Sequence, residues 1–382
     1  MKKIGIITIH KSTSYGACLQ AHALWKYLQL KGYECEIIDL YRNIHKGYIP
    51  SKKYTIFEKP FLGNTEKRTS LLSKIYHKIT KRILDHIYHK DDNIKKTRFE
   101  EFNTLAHYSQ PYKGIDLLYE NPPKYDIYIT GSDQVWNPTI GIPLEPYFLT
   151  FTESSNKIAY ASSFGISNLN DKYKTMFKPW LAKYKAISCR ETDGAQIIKD
   201  ILNKNVPICL DPTLLIGAEY WNSISISPSY QKPYLLLFFL KGISKDILKY
   251  CSNIAKANNL QLIILGRASL PITLKHHIVA NAGPKEFIGW IKNANAVITD
   301  SFHGLAFSIM LNNCFYIKLD NATIGKSRNS RMATILSELN LEDRILDISS
   351  SRNLMTPIDR KSLDNRLKEA QEFSAQYINS NL

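Results

Sequence analysis

The stretch Ala296–Leu319, AVITDSFHGLAFSIMLNNCFYIKL, constrains this chain more than any other. Ala296, Val297, Ile298 and Thr299 read as a buried strand that stops at Asp300-Ser301-Phe302-His303-Gly304. An almost wholly apolar helix from Leu305 to Leu311 follows, and Cys314–Leu319 reads as a second strand. That is one βαβ unit, the building block of a parallel α/β sheet. Its polar residues fall in the crossover at the C-terminal end of the strand, where open parallel sheets bind ligands. Ser301 and His303 would then sit at a helix N-terminus, whose free N–H groups and dipole attract phosphate or carboxylate. The alternative is that Asp300 or Ser301 only caps the helix while His303 packs.

The same strand–helix–strand order runs through the rest of the chain. Gly5–Ile9 is a strand, Ala17, Ala21, Leu24 and Leu28 form one helical stripe, and Gly32 ends that helix before a strand at Glu34–Leu40. Tyr125–Thr130, Lys157–Ala161 and Ala186–Cys189 are short strands that each run into a polar loop, and Asp193–Leu202 is a helix. Ile208–Leu215 closes this half, and Ser223–Pro233 reads as a linker. A second half follows with strands at Tyr234–Leu240 and Leu260–Leu265 around a helix carrying Ile247, Cys251 and Ile254, then the helix Lys285–Asn293 and the βαβ unit. Leu363, Leu367, Ala370, Phe373 and Tyr377 make a final amphipathic helix. The expected architecture is α/β, with two doubly wound Rossmann-like domains facing a cleft. The first spans 1–228 with a basic helical insert at about 41–113, and the second spans 229–382. The final helix, at about 360–380, is free to pack back on the first domain.

With 382 residues there is room for two cores, and 44% hydrophobic with 22% charged residues is ordinary globular material. No apolar run reaches the roughly 18 residues that span a bilayer. The start MKKIGIITIH reads as the first strand, because its apolar run is too short for a signal peptide. Six scattered cysteines without a CxxC suit reduced core thiols in a cytoplasmic protein, and neither a metal nor a cofactor is implied.

The net charge of +16 points to an anionic partner. Between Tyr41 and Lys113 there are 16 Lys/Arg against 7 Asp/Glu, so much of the excess lies in the insert. There Leu72, Ile75, Ile79, Ile83 and Ile87 recur at helical spacing with Lys74, Lys78, Lys81 and Arg82 between them. Such a helix either lies on the inner face of an anionic membrane or packs its apolar side on its own domain. No nucleic-acid module is recognisable.

Four loops after strands carry groups that suit an anionic substrate. Ser12-Thr13-Ser14-Tyr15-Gly16 leads into a helix but lacks a dinucleotide fingerprint. Gly131-Ser132-Asp133-Gln134-Val135-Trp136-Asn137 puts a glycine and a carboxylate at a strand end, while Ser162-Ser163-Phe164-Gly165 is a turn by composition. Arg190, in Ser188-Cys189-Arg190-Glu191, sits where a guanidinium could clamp a carboxylate or phosphate, or else pair with Glu191. Across the cleft, His303 has Lys326, Arg328 and Arg331 for company.

GSDQVWN, SCRE, CLDPTLL and TDSFHG, followed by an apolar helix and an SRM segment, together resemble the polysaccharide pyruvyl transferases. The run Ser14–Leu24 is similar to that family's N-terminal motif, and the resemblance extends from about residue 4 to residue 340, the insert aside. It implies a GT-B-like fold and a transferase that moves pyruvate from phosphoenolpyruvate onto two hydroxyls of a sugar, giving a cyclic ketal. The implied acceptor is a sugar or lipid-linked oligosaccharide of a cell-surface polysaccharide precursor. The family's strand-end arginine falls on Arg190, its histidine on His303 and the Asp of its glycine loop on Asp133. The resulting expected site has His303, Asp133 and Arg190 as catalytic residues. Tyr15, Gly16, Gly131, Ser132, Ser163, Gly165, Ser301, Lys326, Arg328 and Arg331 bind substrate. One departure is Ser301, where some members carry arginine, so a cation for the donor phosphate must come from elsewhere, such as Arg328 or Arg331. Two other readings stay open: a GT-B-type glycosyltransferase using a nucleotide sugar, and a non-catalytic scaffold that binds a polyanion or membrane.

Overall fold

The structure, a computed structural model, describes residues 2–51, 53, 71–319, 329–349 and 354–382, with side chains from residue 78 onward in the helix that begins at Leu71. Lys326 and Arg328 therefore lie outside the described residues, as do the side chains of Leu72, Lys74 and Ile75.

Two five-stranded, all-parallel sheets organise the molecule. The first comprises β1 (Lys3–Ile7), β2 (Glu34–Ile37), β3 (Ile127–Thr130), β4 (Lys157–Ser162) and β5 (Ala186–Cys189), in the order β2-β1-β3-β4-β5. The second comprises β6 (Tyr234–Phe238), β7 (Gln261–Leu265), β8 (His277–Val279), β9 (Ala296–Thr299) and β10 (Phe315–Ile317), in the order β10-β9-β6-β7-β8. Sheets covered by helices on both faces need strands that are apolar throughout. β6 is apolar throughout, and β3 and β9 are so but for a terminal Thr. In all of these and in β4 every residue is buried, Lys157 at the start of β4 by donating to the backbone carbonyls of Leu149 and Thr152. The fold is thus two doubly wound Rossmann-like domains, as the sequence leads one to expect.

Strand order has a consequence for where ligands go. The first sheet reverses direction between β1 and β3 and the second between β6 and β9. At such switch points the flanking loops leave the sheet on opposite sides and open a crevice. Both crevices face the seam between the domains. The seam is itself a shared core: Tyr15, Cys18 and Leu19 of α1 (Tyr15–Leu30) and Phe99 and Phe102 of α2 (Leu71–Asn103) cluster with Phe238, Phe287 and Leu305 of the second half.

Several expected boundaries shift. The basic helix continues past Ile87 to Asn103, and the second strand stops at Ile37 rather than Leu40. The apolar helix after β9 begins at Phe302, three residues before the expected Leu305, because Ser301 caps it there. The linker is shorter than expected, since a helix holds Ala218–Ile224. Strand β8 has only three residues, too few to show a period in the sequence. The final helix, Arg360–Asn381, buries Leu363 and Leu367 against the second half. Farther along, Ser374 Oγ accepts from the Leu210 N–H at 2.9 Å and the Tyr377 hydroxyl donates to the Ala159 carbonyl at 3.0 Å. All six cysteines are buried and unpaired, and among the described residues no helix is long and apolar enough to cross a membrane.

Candidate active site

Loops from the four strands that flank the two switch points line one cavity of about 240 Å³. Ser14 and Gly16 follow β1, Asp133 and Gln134 follow β3, Leu240 and Lys241 follow β6, and Asp300–His303 follow β9. Arg331 completes the wall from the first turn of the helix Ser330–Glu338.

The second domain builds its side locally. The Asp300 carboxylate accepts the Leu240 and Lys241 N–H groups at 2.6 and 3.2 Å, tying the β6 and β9 loops across their switch point. Ser301 caps the next helix, its Oγ accepting the Gly304 N–H at 3.3 Å. The cap fixes the helix start, and so places Phe302 and His303 at the domain seam. His303 is nearly buried, and its Nε2 lies 3.7 Å from Asp211 Oδ2 without a hydrogen bond. Against its other ring nitrogen stands Gly16. A Cβ added there would come within 2.1 Å of His303 Nδ1, so only glycine lets α1 approach the imidazole this closely.

The first domain assembles its side from far-apart segments. Arg190, at the end of β5, is almost wholly buried, and its Nη1 donates to Asp211 Oδ2 at 2.6 Å. Its Nη2 lies 3.5 Å from Asp133 Oδ1, and its guanidinium carbon stacks 4.5 Å from the centre of the Phe302 ring. Among the described residues neither Arg190 Nε nor Nη2 has a hydrogen-bond acceptor. The open pairing of Arg190 with Glu191 is not what forms. Glu191 Oε1 instead accepts from Ser163 Oγ and the Phe164 and Gly165 N–H groups, at 2.9, 3.0 and 3.3 Å.

Asp211 is the residue sequence reasoning missed. It caps the short helix Pro212–Leu215, with Oδ1 accepting from the Thr213 N–H and hydroxyl at 3.0 and 2.7 Å. Asp before Pro reads as a cap signature and nothing more. The other oxygen, Oδ2, serves Arg190, faces His303 and accepts the Ser132 hydroxyl at 2.9 Å. Burial alone would raise this carboxyl, but His303, Arg190 and the Thr213 N–H hold it well below the usual carboxylate range. Burial also opposes the charge on Arg190, and Asp211, Asp133 and Glu191 more than restore it. A buried anion thus holds Arg190 and presents a negative charge to His303.

Of the remaining sequence-named residues, Gly131 is packed on Thr8 and Leu24, and Gly165 adopts φ +62° against Gln134. Asp133 has φ +71°, a left-handed backbone that Asp tolerates better than most residues, and it lines the cavity. A bulge in β4, with Ala161 at φ +48°, turns Ser162 and Ser163 toward the loops of β3 and β5. Tyr15 is buried, its hydroxyl donating to the Ala282 carbonyl at 2.7 Å and its ring stacked 4.4 Å from Phe287. Ser132, Ser163 and Ser301 spend their hydroxyls on Asp211, Glu191 and a helix cap. Lys241 was not singled out by sequence, because it stands outside every motif.

Among solved structures, the chain is similar to UDP-GlcNAc 2-epimerase from Neisseria meningitidis bound to UDP-GlcNAc, at 11% identity over 98% of this chain and 100% of that one, with a TM-score of 0.45. The Methanocaldococcus jannaschii UDP-GlcNAc 2-epimerase in complex with UDP-GlcNAc and UDP gives 13% identity over 97% and 99%, with a TM-score of 0.44. A UDP-glucosyltransferase from Polygonum tinctorium gives 9% over 98% and 94%, with a TM-score of 0.43. Comparison with curated protein sequences finds no significant match. The polysaccharide pyruvyl transferase family model matches residues 15–316, a span that holds Gly16, Asp133, Arg190, Asp211 and His303, and the chain belongs to that family.

Proposed function

We propose that this transferase moves pyruvate from phosphoenolpyruvate onto two hydroxyls of a sugar in a cell-surface polysaccharide precursor. The observation that carries this reading is the meeting of Arg190 and His303 on one carboxylate, Asp211, beside a cleft in a chain of this family. In the reaction, the methylene carbon of the enol gains a proton as a sugar hydroxyl oxygen bonds to the adjacent carbon. A second hydroxyl then displaces phosphate from that carbon, giving the ketal and inorganic phosphate. Two hydroxyl protons are released; one balances the proton gained by the methylene carbon and the other leaves with phosphate.

Protonating carbon and deprotonating a hydroxyl both need a proton-carrying side chain within hydrogen-bond reach, a role His303 fits at the cavity wall. An ionised Asp211, 3.7 Å from its Nε2, offsets the positive charge the ring carries while it holds a proton. Lys241 and Arg331 on the wall suit the donor's carboxylate and phosphate, whose charge must be oriented before reaction. Of the three cations expected in the loop at 326–331, Arg331 is the one among the described residues.

Incubation with phosphoenolpyruvate and a panel of hexosides tests the reading. The expected result is release of phosphate together with a pyruvyl group gained by one sugar. No phosphate release, with thermal stabilisation by UDP- or GDP-sugars instead, would replace it with nucleotide-sugar transfer.

A further inference from the structure

Helix α2 has two apolar stripes on opposite sides. One faces the molecule: Tyr88 is buried with its hydroxyl 2.7 Å from Thr273 Oγ1, and Phe99 and Phe102 enter the shared core. The other is Ile79, Ile83 and Ile87, spaced one turn apart and left 52, 41 and 41% exposed. The helix therefore packs its Tyr88 stripe chiefly on the second domain rather than on its own, and these isoleucines stay exposed.

The charges of the helix are sorted in the same way. Every carboxylate between residues 78 and 94 is used on the second domain: Asp85 and Asp92 on Arg267 at 2.6 and 3.3 Å, and Asp91 on the Asn281 amide at 3.0 Å. Lys78, Arg82 and Lys90 are exposed toward the isoleucine side of the same stretch, while Lys81 lines a groove against Arg267 and Leu270 of the second domain. What remains toward solvent is a face of isoleucine and cation. Two such faces would repel one another, which disfavours a second copy of the chain. A nucleic acid would satisfy the cations but leave the isoleucines in water. An anionic bilayer satisfies both, taking the isoleucines below its headgroups and the cations at its surface.

We propose that the outward face of α2, at Lys78–Lys90, docks this protein peripherally on an anionic lipid surface. The inference goes beyond the pyruvyl-transfer reading and does not depend on it. The helix also couples the surface to the cleft: Lys95 lies 4.7 Å over the Tyr15 ring and Arg98 pairs with Glu286 at 3.2 Å. At 1.5 Å per residue, Ile87 and Ile79 lie roughly 12 and 24 Å along the helix from Lys95.

The test is flotation of the full chain with phosphatidylglycerol–phosphatidylcholine vesicles. Binding is expected at low salt, with release as salt rises and none to phosphatidylcholine alone. Lys78→Gln, Arg82→Gln and Lys90→Gln together should weaken partitioning by about a hundredfold, at about fivefold for each cation. Ile83→Asp with Ile87→Asp should abolish it while leaving the unfolding midpoint unchanged, because both side chains are exposed. Turnover on a soluble sugar, read separately, should survive in both variants, so loss of docking and loss of the reaction are distinguishable. Wild-type protein that ignores anionic vesicles at low salt overturns the proposal. So do variants that still float, and a dimer in sedimentation that Ile83→Asp converts to monomer.

Discussion

The two walls of the cleft are built in opposite ways. The second-domain wall is mostly local: β9, the Asp300-Ser301 turn and the helix after it lie within the 16 residues Ala296–Leu311, where cap, histidine and packing face come together. Leu240, Lys241 and Arg331 are added from outside. The first-domain wall is assembled from β3, β4 and β5 and from the turn at Asp211. Its ionic contacts join residues such as Asp133, Arg190 and Asp211 that are far apart in the chain. A local wall tolerates damage one residue at a time. A buried charge network does not, since removing one partner strands the others.

Asp211→Ala should therefore be the most damaging change. It leaves the Arg190 guanidinium buried without its 2.6 Å partner and removes the cap on Thr213. We predict a loss of about 3–5 kcal/mol in urea unfolding, the usual cost of breaking a buried pair from one side. The wild type should also show an acid limb that the variant lacks. Asp211 has a folded-state pKa below its unfolded value of about 3.9, so its stabilisation is complete above that pH and fades as pH falls toward the folded value. A variant as stable as wild type, with the same acid limb, would reduce Asp211 to the helix cap that its sequence context suggests.

That context explains why the second wall could be read from the chain and the first only in part. His303 and Ser301 announce themselves because strand, turn and apolar helix are contiguous, and Arg190 because it ends an apolar strand. Asp211 sits in Leu-Asp-Pro-Thr, which is fully explained by a capped turn; its second duty arises only when β5 brings Arg190 beside it. Glu191 is similar. Next to Arg190 in sequence, it reads as an ion-pair partner, yet the β4 bulge delivers three donors to it instead. Strand periodicity gives the sheets, but not which loops meet across their switch points.

Gly16→Ala probes where the walls touch. The new Cβ would lie 2.1 Å from His303 Nδ1, so the imidazole must move. Turnover should fall by about 10²-fold or more, the scale of a lost general acid or base, at a stability cost of roughly 1–3 kcal/mol from overpacking. Combining it with His303→Ala should add little, because both changes act on one group. Full turnover in Gly16→Ala would mean that the position of His303 is not used. Arg190→Lys is a milder cut into the first wall. It keeps the charge but loses the fork between Asp211 and Asp133, and should weaken apparent phosphoenolpyruvate affinity by roughly 1–3 kcal/mol. An unchanged affinity in a folded variant would confine Arg190 to structure.

The smallest effect is expected at Tyr15, and it separates the seam from the site. Its hydroxyl donates to the Ala282 carbonyl across the domains, and its ring is held by Phe287 and by Lys95 at 4.7 Å. Tyr15→Phe removes one neutral hydrogen bond and keeps the stacking, so unfolding should lose about 1 kcal/mol. The ring, and hence the path of α1 that brings Gly16 to His303, should stay in place, so turnover on a soluble sugar should not change. The sequence alone suggested a substrate contact here. A variant with normal stability but a raised KM for donor or acceptor would restore that reading. It would also mean that the hydroxyl leaves Ala282 when substrate arrives, so that the walls are joined by a contact the reaction itself must break.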